Sequence, residues 1–117
     1  SPIHFLASKH ILLVSVTGRK SGKVYTTPLE YKQDGDDLMT FTQKERKWWR
    51  NLIGGAEVQL KLKGKQVSAH AEPFTSEQLP LTDLIRRMYP YLSEQSRANL
   101  EATSVCVKLH LLEHGVD

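Results

Sequence analysis

The chain has 117 residues and a formal net charge of +3, and its shares of hydrophobic (39%) and charged (25%) residues are ordinary for a globular protein. The length predicts one domain, residues 1–117, and so small a positive charge does not by itself indicate a nucleic-acid-binding protein. No apolar run is long enough to cross a membrane. A single cysteine, Cys106, excludes an intrachain disulfide, and because no leader is visible we expect a cytoplasmic protein.

The first predicted elements are a short helix and two strands. Residues 2–9 predict the helix, and residues 10–17 predict a buried strand that ends at Gly18. Residues 24–33 predict the second strand, although Pro28 lies inside it. Because proline cannot donate a hydrogen bond to a neighbouring strand, Pro28 predicts a sheet edge, a bulge or a backbone position that faces a ligand.

A hairpin and a helix follow. Residues 34–37 are typical of a hairpin turn, and residues 38–42 predict a third strand that pairs back. Residues 44–53 predict a helix, because their large side chains recur at helical spacing. The glycines at positions 54 and 55 end that helix.

The second half of the chain predicts two strands, two helical segments and a final strand, over residues 57–63, 66–72, 76–88, 93–102 and 103–112. Pro73 closes the fifth strand, Ser76 begins the helical region, and Pro80 falls within its first turn. Six short, mostly antiparallel strands with helices inserted indicate a small barrel or a highly curved sheet.

The most informative segment is residues 17–23, here called the basic turn, which joins the first two strands. Arg19 can contact a phosphate in bidentate fashion, Lys20 adds a point charge and Ser21 adds a hydroxyl. The two glycines of the turn allow a close backbone approach. This combination favours a phosphate site, and the alternative is a solvent-exposed turn that happens to be basic.

A second candidate site lies in the helix predicted over residues 44–53. Trp48 and Trp49 are adjacent, so on a helix their side chains point about 100° apart. One indole can therefore pack in the core while the other lines a groove, where Arg46 and Arg50 would favour a planar anionic cofactor. In the alternative interpretation, both indoles pack in the core or in a dimer interface.

These segments together resemble a known family. The stretches VTGRKSGKVYTTPLEYKQDGD, KWWRNL and EVQLKLKGKQVSAHAE, within roughly residues 11–75, resemble the deazaflavin-dependent nitroreductase family of the flavin-binding split β-barrels. The resemblance implies a six-stranded antiparallel split β-barrel with short helices, usually a homodimer, that binds the deazaflavin coenzyme F-420 or FMN. It also implies hydride transfer to a nitroaromatic, quinone or enone acceptor.

The resemblance also implies which residues contact the cofactor. The expected contacts are Arg19, Lys20, Ser21 and Gly22 at the phosphate and acidic tail, Thr27 and Pro28 beside the rings, Thr42, Gln43 and Lys44 at the ring edge, and Trp48 flanking it. The five histidines form none of the spacings typical of zinc sites, so we expect no metal. The sequence identifies no catalytic side chain, since the cofactor itself carries hydride chemistry.

The chain departs from the family pattern at three places. Tyr25 stands where the family usually has an arginine, and the usual glycine-rich, proline-containing insert before the tryptophans is missing. For the later tyrosines that meet the substrate, Tyr89 and Tyr91 are only loose counterparts. The leading hypothesis is an oxidoreductase acting on a small molecule as a homodimer, without a nucleic-acid partner. The alternative is a non-catalytic module that binds a flavin or deazaflavin.

Overall fold

A computed structural model describes residues 10–112, so the helix predicted over residues 2–9 lies outside the described residues. The elements are β1 (Ile11–Thr17), β2 (Val24–Asp34), β3 (Asp37–Gln43), the 3₁₀ helix η1 (Trp48–Leu52), β4 (Ala56–Leu62), β5 (Lys65–Phe74), α1 (Thr82–Met88), α2 (Glu94–Thr103) and β6 (Ser104–Leu111). The six strands begin and end within two residues of the predicted bounds.

The strands form a closed antiparallel barrel in the order β1-β2-β3-β6-β5-β4. β1 closes the barrel by pairing with β4, where Val14 lies opposite Leu60. The predicted six-stranded antiparallel barrel is confirmed.

The pairing between β2 and β3 is incomplete. It runs only from Tyr31 opposite Thr40 to the hairpin turn, so residues 24–30 pair with β1 alone and residues 41–43 pair with β6 alone. We call the separated segments, 24–30 and 41–43, the open edge. The Tyr31 amide donates to the His10 carbonyl, so by alternation the backbone nitrogen of Pro28 points away from β1, to the side on which this part of β2 has no paired strand. A proline is tolerated there because no donor is needed.

The barrel interior is filled by apolar side chains that alternate along the strands. Its buried members are Leu12, Val14, Val16, Leu29, Tyr31, Leu38, Val58, Leu60, Ala69, Ala71, Val105, Val107 and Leu109, joined by Trp48 and Leu52 of η1. η1 therefore covers one end of the barrel, and its position depends on this core.

A second apolar cluster lies outside the barrel wall. Helix α1 packs Leu84, Ile85 and Met88 against Met39 and Cys106 on the outer faces of β3 and β6. β6 is therefore buried on both faces for part of its length, which the alternating pattern did not predict. Burial raises the pKa of the Cys106 thiol to about 12, so the thiol stays protonated and inert.

The helix predicted over residues 44–53 is wrong in extent and type. Only Trp48–Leu52 is helical, and it forms a 3₁₀ helix. The Lys44 amide donates to the Thr103 carbonyl at 2.9 Å, and the Arg46 amide donates to Gln43 at 3.0 Å. The second bond is a turn bond that spans three residues, and the first ties the start of this segment to the end of α2, so the chain passes through a turn before Trp48.

Two expectations about prolines and helix starts are also wrong: Pro73 does not close the fifth strand, and the first helical region does not begin at Ser76. β5 continues through Pro73 to Phe74. By alternation the backbone nitrogen of residue 73 points to the β4 side, but β4 begins only at Ala56, opposite Ala71, so no strand there needs a donor from residue 73. α1 begins at Thr82 rather than Ser76, and Pro80 precedes it. A residue before proline avoids the helical region, so residues 76–79 form turns instead.

Candidate functional site

A cleft of about 720 Å³ lies at the end of the barrel that η1 covers, between the basic turn and η1. It is lined by Gly18, Arg19, Lys20, Ser21, Tyr25, Lys47, Trp48, Arg50 and Asn51. The structure thus brings together the two segments that the sequence identified separately.

The basic turn is closed by its own hydrogen bonds. The Gly18 amide donates to the Lys23 carbonyl at 2.7 Å, and the Gly22 amide donates to the Gly18 carbonyl at 3.0 Å. The Ser21 hydroxyl accepts from the Lys23 amide at 3.1 Å. A Cβ at Gly18 would lie 2.9 Å from both Ser21 Oγ and Tyr25 Cε2, so a side chain at position 18 would force these two side chains to move.

Hydrogen bonds connect the turn to η1. The Arg19 amide donates to Asn51 Oδ1 at 3.0 Å, and the Arg19 guanidinium donates to the Ile53 carbonyl. Asn51 in turn donates through Nδ2 to the Trp48 carbonyl at 3.0 Å. The two walls of the cleft are therefore joined at its base.

The two tryptophans diverge as expected for adjacent residues. Trp48 is 8% exposed, packs in the core and lines the cleft, and its Nε1 donates to Thr42 Oγ1 at 3.1 Å. Trp49 is partly buried on the other side of η1, where its Nε1 donates to the Lys44 carbonyl at 3.2 Å. The guanidinium of Arg50 lies 5.4 Å from the Trp49 ring centroid, in cation–π range.

The charge of the cleft is of one sign. Arg19, Lys20, Lys47 and Arg50 line it, and no carboxylate does so within the described part of the chain. Fixed positive charge, exposed turn backbone and an indole suit a ligand that combines an anionic group with a planar one.

The ten expected cofactor contacts fall into separate places. Arg19, Lys20, Ser21 and Trp48 line the cleft, whereas Gly22, Thr27, Pro28, Thr42, Gln43 and Lys44 do not. Of this second group, residues 27, 28, 42 and 43 border the open edge, and Thr42 is linked to the cleft through its hydrogen bond with Trp48. Lys44 follows directly, with its amide already bonded to Thr103.

Five residues that line the cleft are not among the ten expected cofactor contacts: Gly18, Tyr25, Lys47, Arg50 and Asn51. Tyr25, which stands where the family usually has an arginine, lines the cleft and is 45% exposed. Asn51 belongs to the segment KWWRNL, so a polar side chain in the same short segment as Trp48 was the signal that could have identified it as a cleft residue. Its contact with Arg19 crosses 32 residues and could not be predicted locally.

An aromatic group lies near the open edge. Tyr89 stands 6.4 Å from Phe41 of β3 and 6.2 Å from Tyr91, measured between ring centroids, and Tyr91 is 74% exposed. Burial, together with the nearby Glu30 carboxylate and Tyr91, raises the pKa of Tyr89 to about 12. The Tyr89 hydroxyl therefore remains a hydrogen-bond donor at neutral pH.

Solved structures with the same fold include proteins of little sequence identity. An Agrobacterium tumefaciens protein of unknown function has a TM-score of 0.65 and 17% identity over 88% of this chain, which spans only 48% of that protein. An F420 reductase has a TM-score of 0.59 and 12% identity, over 90% of this chain and 88% of that one. A protein described as a domain-swapped dimer has a TM-score of 0.61 and 17% identity, over 93% and 99%.

Two further findings bound the identity. No curated protein matches the sequence. Within residues 10–112, no helix is long and apolar enough to cross a membrane. Residues 3–110, however, match the family described as F420H(2)-dependent quinone reductase. The chain therefore belongs to this family of deazaflavin-dependent oxidoreductases, in agreement with the resemblance seen in its motifs.

Proposed function

We propose that the protein binds coenzyme F-420 with its anionic end in the cleft and transfers a hydride between that cofactor and a small organic acceptor of the quinone, nitroaromatic or enone type. The observation that carries the proposal is the cleft itself, in a chain of a deazaflavin-dependent family. It places the basic turn opposite Trp48, with no carboxylate among its lining residues in the described chain.

The residues of the cleft fit the phosphate and acidic tail of this cofactor. The Lys20 and Lys47 ammonium groups and the Arg50 guanidinium supply charge for several anionic oxygens. The missing Cβ of Gly18 keeps the turn compact, so the backbone can approach a phosphate closely. Trp48 offers an indole whose position is fixed by Thr42.

We assign the ring system to the open edge. Thr27, Pro28, Thr42 and Gln43 border this edge, where β2 and β3 do not bond to one another. Unpaired backbone groups of a sheet edge can bond the polar rim of a planar heterocycle, as they would bond another strand. Lys44 lies at the end of this edge, where its charge can stabilise negative charge on the ring.

When bound, the reduced deazaflavin supplies a hydride, which with one proton from water converts a quinone to its hydroquinone. The protein orients the two partners, and no side chain acts as a nucleophile. The surface of Phe41, Tyr89 and Tyr91 beside the open edge suits a planar acceptor, and the protonated Tyr89 hydroxyl can donate to an acceptor oxygen.

We also propose a homodimer. The outer faces of β1 and β2 carry Leu13 and Val24, which are 37% and 66% exposed, together with Ser15 and Thr26, whose hydroxyls bond each other at 2.9 Å. These four side chains are uncharged, although Lys61 of β4 lies opposite Leu13 and Glu30 lies further along the same face of β2. A patch of this kind suits burial against a second copy. Light scattering at two protein concentrations gives the mass, and Val24→Glu should shift the protein towards monomer.

The direct test is titration of the purified protein with F-420 and, separately, with FMN, followed by Trp fluorescence. We expect quenching by F-420 and oxidation of reduced F-420 when menadione is added. Tight binding of FMN without binding of F-420 would mean that the cofactor is FMN and not F-420. Binding of F-420 without turnover of any acceptor would favour the non-catalytic binding module.

A further inference from the structure

The side chains of Asn51 and Arg19 join the basic turn to η1. The basic turn and η1 both line the cleft, and the two residues that link them lie 32 positions apart in the chain. The contact is therefore tertiary, and each wall depends on the other for its place.

Asn51 uses both ends of its carboxamide. Its oxygen accepts from the Arg19 amide at 3.0 Å, and its nitrogen donates to the Trp48 carbonyl at 3.0 Å. An aspartate would keep the acceptor but lose the donor, and an apolar residue would lose both. A carboxamide at this position thus links the turn to the residue that carries the cleft's indole.

Arg19 completes the link from the opposite side. Its guanidinium donates to the Ile53 carbonyl, which follows the last residue of η1. Lys20 differs, because no ion pair within residues 10–112 engages its ammonium group. Of the two neighbouring cations, one is bonded to the protein and the other is available to a ligand.

We propose that Asn51 and Arg19 are positioning residues, which hold the turn against η1 so that the Lys20 ammonium and the Trp48 indole face one cleft. The identity of the ligand rests on the proposed function, whereas the positioning is a property of the protein alone. The inference reassigns Arg19, which the family resemblance places at the phosphate, and adds Asn51 to the site.

The first experiment compares Asn51→Ala with Asn99→Ala, an exposed asparagine on α2, as the matched control. Hydrogen exchange of the Arg19 amide, measured by NMR without cofactor, should become faster in Asn51→Ala and stay unchanged in Asn99→Ala. The dissociation constant for F-420 should rise about tenfold in Asn51→Ala only, the effect of losing roughly one well-placed hydrogen-bond pair.

The second variant, Arg19→Lys, keeps the charge but loses the planar donor group. We expect faster exchange of the residue 19 amide and weaker F-420 binding, with the same salt dependence of binding as the wild type. Should Asn51→Ala fail to fold, Arg19→Lys provides the same measurements.

The inference is overturned if either variant leaves both the exchange of the residue 19 amide and the F-420 affinity at wild-type values. It is also overturned if the affinity falls while amide exchange without cofactor is unchanged, because these residues would then be direct ligands. Absence of F-420 binding by the wild-type protein would refute the proposed function instead, and the exchange data alone would then decide whether the two residues position the turn.

Discussion

The indole N–H of Trp48 donates a hydrogen bond of 3.1 Å to the hydroxyl of Thr42, and both side chains are buried. Trp48 lines the cleft, and Thr42 lies in the part of β3 that β2 leaves unpaired. This bond connects the cleft to the open edge, the two places where we locate the ends of the cofactor.

Thr42→Val should lower the free energy of unfolding by about 1–3 kcal/mol, because it leaves the buried indole N–H without an acceptor. Urea denaturation followed by Trp fluorescence measures the change. Thr26→Val is the matched control, since the Thr26 hydroxyl is exposed and bonds only at the surface to Ser15. Equal stability of the two variants would show that the Trp48 bond contributes nothing.

Lys20→Ala should weaken F-420 binding by about 1–3 kcal/mol, because a charged hydrogen bond to an anionic oxygen is lost. Binding of the variant should also depend less on salt concentration, since one ionic contact is missing. Lys65→Ala removes the same charge at the β4–β5 hairpin and should leave the affinity unchanged. If both variants bind like the wild type, Lys20 does not contact the cofactor.

The two glycines of the basic turn should respond differently to substitution. A Cβ at Gly18 would meet Ser21 and Tyr25 at 2.9 Å, so Gly18→Ala should reduce the free energy of unfolding by about 1–3 kcal/mol and weaken F-420 binding. Gly22 has a φ of +72°, which asparagine adopts more readily than most residues, and open space around it, so Gly22→Asn should cost less than Gly18→Ala. Thermal unfolding measures both, and a harmless Gly18→Ala would mean that the turn is not tightly closed.

The stability of the protein should depend on pH through Asp37. Partial burial raises the pKa of this carboxyl, but the hydrogen bond with His110 at 2.7 Å and the Lys108 ammonium at 3.5 Å outweigh it, so the pKa lies below its usual value. A lowered pKa stabilises the folded state above the unfolded value of about 3.9 and ceases to do so as the pH falls through the folded value.

Asp37→Asn should therefore be less stable than the wild type at pH 7, and the difference should shrink when urea denaturation is repeated near pH 3. Asp36→Asn, at the exposed neighbouring position, should match the wild type at both values. A stability difference for Asp37→Asn that is the same at both pH values would rule out the ionised carboxylate as its cause.

The strands were predictable because alternation of apolar residues reports burial of one face, as in Val105, Val107 and Leu109 of β6. The extent of η1 was not, because the segment before it is tied to Thr103, a contact between distant parts of the chain that local spacing does not report. The same reasoning applies to the site. Local turn chemistry identified the basic turn, whereas the place of Asn51 against Arg19 depends on contacts between distant segments.

A crystal structure of the protein with F-420 tests the central claim most directly. We expect the cofactor phosphate within hydrogen-bond distance of Lys20 Nζ in the cleft, with the ring system along the open edge beside Pro28 and Thr42. A phosphate bound away from the basic turn, for example at the lysines of the β4–β5 hairpin, would contradict the account.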